Sequence, residues 1–280
     1  MKTRILTALV ALPILIATII LPSYFPQIPE LKFIFVTIGV LALGAGLFEF
    51  YSLTKKLELK ADATVGYFGA MILTVAFIFD APSKTPDLLL LSIALFIITT
   101  LITQTFRFQV DFSKMITGIG ATLFGVFYVV FLGGFLISIR TSFDIFLSTK
   151  LLSFFFLIIM GADSGAYFSG KFLGKHKLAP KISPNKTIEG LIGGIVASLV
   201  FATLSHYWFF PDLSLKFALP LAGVMAIISV LGDLAESAMK RGSDTKDAAN
   251  ILPGHGGLLD RLDSLLFNAP ILYYFAKFYF

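Results

Sequence analysis

The chain has 280 residues, 57% of them hydrophobic and only 14% charged, with a mean hydropathy of +0.89, whereas soluble domains carry about 25% charged residues. A chain of this length cannot bury so much apolar surface around one core, which excludes a soluble globular protein and predicts an all-α polytopic membrane protein. No cysteine is present, so disulfide frameworks and thiolate metal sites are excluded. The formal charge of +5 sits in short loops between apolar runs and points to anionic lipid or nucleotide phosphate rather than nucleic acid.

A helix needs about 20 apolar residues to cross a bilayer, and nine runs are read as transmembrane helices: 5–22, 31–52, 64–80, 87–104, 115–139, 150–168, 188–210, 215–233 and 262–280. The first, after "MKTR", is read as a retained span because no small-x-small cleavage site follows it. Glu49 interrupts the second run near its end and is expected to reach the interface and pair with Lys55 or Lys56. No repeat, low-complexity tract or long linker divides the chain. A single integral membrane domain over 1–280 is expected, generic through 149 and carrying its polar chemistry in 150–280.

Orientation follows from the basic residues. With the N-terminus cytoplasmic, sixteen Lys and Arg fall on the inner side and six on the outer, predicting N-in and C-out. The two long hydrophilic loops, roughly 169–187 and 234–261, are then cytoplasmic. The lack of a transit-like segment favours a bacterial inner membrane.

The first loop and its flanks read "GADSGAYFSGKFLGKHKLAPKISPNKTIEGLIGG". Asp163 follows an apolar stretch, and a carboxylate at membrane depth costs at least about 2.5 kcal/mol at a helix centre, so it marks a site or a partner. Ser183, Thr187 and Glu189 can cap a helix. With Lys171 and Lys186 nearby, the segment resembles a phosphate site, because helix N-terminal amides and lysines favour anions. A solvated basic loop with an ordinary cap explains it equally well, and the spacing of a P-loop is absent. His176 reads as a solvated loop residue and His206 as an interfacial one.

The second loop starts from Asp233, with Glu236 and Lys240 at helical spacing, and ends in "NILPGHGGLLDRLDS". On a helix beginning after Gly257, Asp260 and Asp263 share a face one turn apart. Acids in a first turn can merely complement the helix dipole, but that accounts for neither Asp233 nor the surrounding Lys240, Arg241, Lys246 and Arg261. Oxygen ligands without Cys and with few His favour Mg²⁺. Asp233, Asp260 and Asp263 are the expected metal ligands, with room for a second cation, and the four bases are expected to clamp a polyphosphate.

Residues 237–263, S-x-M-K-R, four residues, K-D, then "AANILPGHGGLLDRLD", resemble the signature of the phosphatidate cytidylyltransferases, or CDP-diacylglycerol synthases. The upstream segment is similar to a second stretch of that family through Asp163, Gly165, Tyr167, Gly170, Lys171, Ser183, Pro184, Lys186, Thr187, Glu189 and Gly190. It departs at Asn185, where members often carry Lys. The likeness covers about 160–265 well and the first five runs only as membrane helices.

The resemblance implies transfer of CMP from CTP to phosphatidic acid, giving CDP-diacylglycerol and pyrophosphate with Mg²⁺, at the cytoplasmic face. It implies catalytic roles for Lys240, Arg241, Lys246, Asp247, His255 and Arg261. Substrate binding falls to Asp163, Lys171, Ser183, Asn185, Lys186, Thr187, Glu189, Gly256 and Gly257. CTP, phosphatidic acid and the bilayer are the expected partners; the sequence leaves the oligomeric state open, a homodimer included. His255 is read as a hydrogen-bond donor to phosphate or a turn residue, because a phosphate monoester, with its second pKa near about 6, needs little help losing a proton.

Three rivals follow from the same residues. A CTP-dependent polyprenol kinase would transfer the terminal phosphate. A CDP-alcohol phosphotransferase would show D-x-x-D-G-x-x-A-R, which is missing. A cation transporter would place its acids near the midplane within repeated halves.

Overall fold

The structure is a computed structural model that describes residues 2–79, 84–107, 112–243 and 257–280. Nine helical rods run through these residues, one for each apolar run. They are α1 (Lys2–Tyr24), α2 (Lys32–Lys56), α3 (Ala63–Ile78), α4 (Pro86–Arg107), α5, α6 (Ile145–Leu173), α7 (Ile188–Trp208), α8 (Leu215–Gly242) and α9 (Leu259–Tyr279). Rod α5 is composite, with a π-helical turn Val126–Phe131 between α-helical stretches Met115–Gly125 and Leu132–Ser142. Among the described residues six rods, α2 and α4 to α8, are long and apolar enough to cross a membrane, while α1 and α3 offer shorter apolar stretches. The chain is a multi-pass helical membrane protein.

Two expectations about the loops need correction. The hydrophilic segments do not begin where the apolar runs end: α6 continues to Leu173 and α8 to Gly242, while α9 already starts at Leu259. Polarity ends a membrane run but not a helix, and Lys240 with Glu236 at i,i+4 supports the polar extension of α8. The first loop also contains a short antiparallel hairpin, β1 (Lys177–Ala179) and β2 (Ser183–Thr187), so the fold is helical with one small β element.

The hairpin joins α6 to α7, and these antiparallel helices form the most extensive helix pair. Small residues, Gly165 and Ala162 on α6 against Gly193, Gly194 and Ala197 on α7, bring the two backbones together, as in other membrane helix pairs. The core runs through the whole bundle, with Phe77, Phe96, Phe135, Phe155, Leu266 and Tyr273 fully buried.

One polar clamp lies at the end remote from the hairpin. Pro22 inside α1 has no N–H to donate to the Thr18 carbonyl, four residues back. The buried Arg140 takes its place: Nη2 donates to Thr18 O at 3.3 Å and Ile19 O at 3.0 Å, while Nη1 donates to Ser148 Oγ at 3.2 Å and Thr149 Oγ1 at 3.0 Å. Arg140 thereby ties α1 to α5 and α6 and repairs the helix break with a side chain.

Candidate active site

The site forms where the hairpin, the ends of α6 and α8, and the start of α9 meet. Thr187 caps α7 by accepting the Gly190 N–H at 3.1 Å, the role expected of a Thr before a helix. Glu189 folds back on the hairpin base: its carboxylate accepts the backbone N–H groups of Lys175 at 3.1 Å and His176 at 3.2 Å, and meets the His176 ring nitrogen Nδ1 at 2.6 Å. Its oxygens are thus spent on the loop. His176 is a solvated loop residue, as expected, and it also partners that carboxylate. His206 Nδ1 lies 2.9 Å from Leu213 O at the other end of α7.

This hairpin carries Lys186 to α8. Lys186 Nζ lies 2.7 Å from Asp233 Oδ2, with Val230 O at 3.4 Å, and Ser237 Oγ donates to Asp233 Oδ1 at 3.2 Å. Arg241 Nε, on the next turns of α8, donates to Ile182 O at 3.3 Å, so α8 holds the hairpin at a second point. Ser183 is half-buried and Asn185 exposed on β2; Lys171 is exposed and lies over the Tyr167 and Phe172 rings at 5.7 and 5.8 Å.

Helices α8 and α9 are pinned by a polar seam. Ser264 Oγ donates to Ser229 O at 3.1 Å, and Asn268 Nδ2 donates to Ser229 Oγ at 3.0 Å. Next to Asp233, a methyl group on Gly232 would lie 2.9 Å from the Asp263 carbonyl oxygen, so only glycine lets the two backbones approach this closely. The seam and the close approach bring the buried Asp263 beside Asp233.

Two charge groups result. In the first, the charges of Asp163, Asp233 and Asp263 act on one another, Lys186 pairs with Asp233, and the charge of Arg261 acts on Asp163. In the second, the Lys240 ammonium lies 2.6 Å from Glu236 and 2.9 Å from Asp260, and Asp260 also accepts the Gly257 N–H. The three expected metal ligands are therefore distributed: Asp233 and Asp263 are joined by Asp163, which was read as substrate-binding, while Asp260 is engaged by Lys240. Lys246, Asp247, His255 and Gly256 lie outside the described residues.

Two contributors come from the first half of the chain. Glu49 does not reach Lys55 or Lys56. It is wholly buried, and its carboxylate accepts the N–H groups of Leu258 at 2.8 Å and Leu259 at 2.7 Å at the start of α9. Tyr128, on the π turn, buries its hydroxyl among the charges of Asp233, Glu236, Asp260 and Asp263, with no hydrogen-bond partner among the described residues; π turns recur at functional sites. For Glu49 the sequence carried a signal, a carboxylate inside an apolar run. Tyr128 carried none.

A cavity of about 720 Å³ lies elsewhere, between α1, α6 and α7. Its walls, including Ile16, Ile19, Phe156, Met160 and Phe201, are mostly apolar, with Lys150, Ser153 and Ser164 among them, which suits lipid chains.

The chain is thus a polytopic helical membrane protein with acids and bases gathered at one end of its bundle. The model of the cytidylyltransferase family matches residues 2–279, and the chain belongs to that family. It is 37% identical over 283 residues to a phosphatidate cytidylyltransferase of Bacillus subtilis, covering 98% of this chain and 97% of that one. A Staphylococcus haemolyticus protein of the same name is 32% identical over 273 residues, 97% of each chain. One from Haemophilus influenzae is 47% identical over 134 residues, 46% of each.

Proposed function

We propose that this chain transfers CMP from CTP to phosphatidic acid, releasing pyrophosphate and leaving CDP-diacylglycerol in the membrane. The observation that supports this most is the meeting of Asp163, Asp233 and Asp263 with Lys186 and Arg261 at one end of a membrane bundle. Acids suited to a hard cation stand beside bases suited to phosphates, within reach of a lipid headgroup. The shared name of the relatives supports the same reaction. The sixteen-to-six charge asymmetry supports nine spans with the N-terminus inside, the C-terminus outside and the site on the cytoplasmic face of a bacterial membrane.

Mg²⁺ belongs to the proposal, with a second cation allowed for. The donor set fits it, being oxygen-only in a chain without cysteine. Among the described residues no three acidic or imidazole groups stand close enough to hold an ion by themselves. Such an open arrangement suits Mg²⁺, which takes one or two carboxylates and completes its shell with substrate phosphates and water. Asp233 and Asp263 would hold it, with Asp163 and Asp260 on either side. An ion held there would supply positive charge to offset the negative charge that develops on the phosphates in the transition state.

The chain's own residues then divide the work. Lys186 can exchange Asp233 for a phosphate oxygen, and Arg261 and Arg241 extend the positive surface on which pyrophosphate leaves. A phosphate oxygen of the lipid forms the new bond to the α-phosphorus of CTP, and the bond from that phosphorus to the bridging oxygen breaks. No base is required, because the attacking phosphate is already largely ionised at neutral pH.

Label in the α position of CTP should enter the lipid and label in the γ position should leave as pyrophosphate, only with Mg²⁺ and phosphatidic acid present. Entry of γ label into lipid, with α label remaining as CDP, would make the protein a lipid kinase.

A further inference from the structure

We propose that Glu49 on α2 is a positioning residue for the reaction, holding the first turn of α9 so that Asp260, Arg261 and Asp263 are aimed into the site. What those residues do once aimed rests on the cytidylyl-transfer reading; the grip on α9 does not.

At the start of α9, Asp260 accepts the Gly257 N–H, but nothing within the helix serves the next two amides. Its N-cap residue, Leu258, has no side-chain hydrogen bond to offer, and the first N–H groups of any helix lack partners within it. Glu49 supplies them from another helix, one oxygen to Leu258 N and the other to Leu259 N, at 2.8 and 2.7 Å. A carboxylate is the right group here, since its charge complements a helix N-terminus and shortens the bonds. Two oxygens on consecutive amides fix the rotation of α9 as well as its position. Carboxylates stand about 5 Å from a helix axis, so a rotation of about 20° would move one by roughly 2 Å, and misplacement of about 1 Å can cost about 100-fold in rate.

The surrounding packing is built for this contact. One turn before Glu49, a methyl group on Gly46 would lie 3.2 Å from Leu262 Cδ1 and 3.3 Å from Val129 Cγ1, so α2 meets α9 and α5 at a glycine. Farther along α9, Ser264 and Asn268 hold α8 through Ser229. Asp260 and Asp263 therefore lie between two clamps, one from α2 and one from α8.

The test compares Glu49→Gln, Glu49→Asp and Gly46→Val with the parent in detergent, reading turnover, Mn²⁺ affinity with CTP by electron paramagnetic resonance, and amide exchange over 257–264. Glu49→Gln keeps size but offers one acceptor, Glu49→Asp falls about 1.5 Å short, and Gly46→Val keeps the acid while pushing α9 away. All three should exchange faster at the start of α9, with turnover per folded molecule down about 10- to 100-fold and Mn²⁺ affinity weakened several-fold. Variants that melt earlier yet keep turnover and Mn²⁺ affinity within about twofold would make Glu49 a structural cap and overturn the proposal. A parent chain that binds Mn²⁺ and CTP but makes no lipid product would refute the reaction, while exchange and Mn²⁺ affinity would still judge Glu49.

Discussion

Lys186 Nζ lies 2.7 Å from Asp233 Oδ2, so the hairpin between α6 and α7 delivers a cation to the end of α8. In the proposed reaction the pair neutralises one acid of a cluster that would otherwise repel a nucleotide, and it opens if Asp233 is to offer Oδ2 to a metal ion. Lys186→Met should therefore raise the KM for CTP and lower turnover by about 100-fold. Because 41% of the Asp233 side chain is accessible, leaving it unpaired should cost little stability. Initial rates across CTP concentrations, with a thermal melt alongside, decide this; unchanged kinetics would remove Lys186 from the site.

Asparagine at Asp260 or Asp263 keeps size and removes charge. Turnover should fall by about two orders of magnitude or more in each, with the protein still folded and inserted. Asp163→Asn should behave likewise if the first charge group is the working one. Near-normal activity in both Asp260→Asn and Asp263→Asn would take Asp263 out of the proposed metal site and Asp260 out of the proposed reaction.

Arg140→Met tests the clamp on α1. The variant removes the Arg140 donor from the Thr18 and Ile19 carbonyls and from two hydroxyls, Ile19 O keeping the Thr149 hydroxyl at 3.1 Å, which should cost about 2–4 kcal/mol. Asp163 lies about 21 Å farther along α6 than Thr149 at the helical rise, so turnover per folded molecule should stay near the parent's. A denaturation series in detergent reads the first effect; no shift in midpoint would mean that the clamp carries no stability.

Topology can be read directly because the chain has no cysteine. A cysteine at Ser183 or Ser243 should react with an impermeant thiol reagent only from the cytoplasmic side, and one at Ser214 only from outside. Arg241 Nε bonded to Ile182 O sets the Ser183 and Ser243 segments at the same end of the bundle, so the two must label alike. Outside labelling of Ser243→Cys would invert the arrangement.

Each helix was legible as an apolar run because lipid imposes one requirement on every residue of a span. The ends were less so: the run ending at Asp233 hid nine more helical residues, since helical hydrogen bonds continue into water where hydropathy falls. The residue types of the site could be read from two polar segments, but not their grouping. Whether Asp163 or Asp260 stands with Asp233 and Asp263 depends on how α6, α8 and α9 cross, and Gly232 and Ser229 decide that through contacts with α9. Glu49 announced itself as an anomaly, but its partners at Leu258 and Leu259 are joined to it only by the finished fold.

The Glu49 contact also bears on how the protein is made. Helix α2 enters the membrane early in synthesis, and α9 only after every other helix that it touches. Until then the Glu49 carboxylate has neither of the amides that satisfy it. A chain still lacking α9 thus holds a carboxyl group without these partners inside an apolar segment. Asp260 and Asp263 arrive on the same helix as those amides, so the proposed site and the Glu49 contact are completed together.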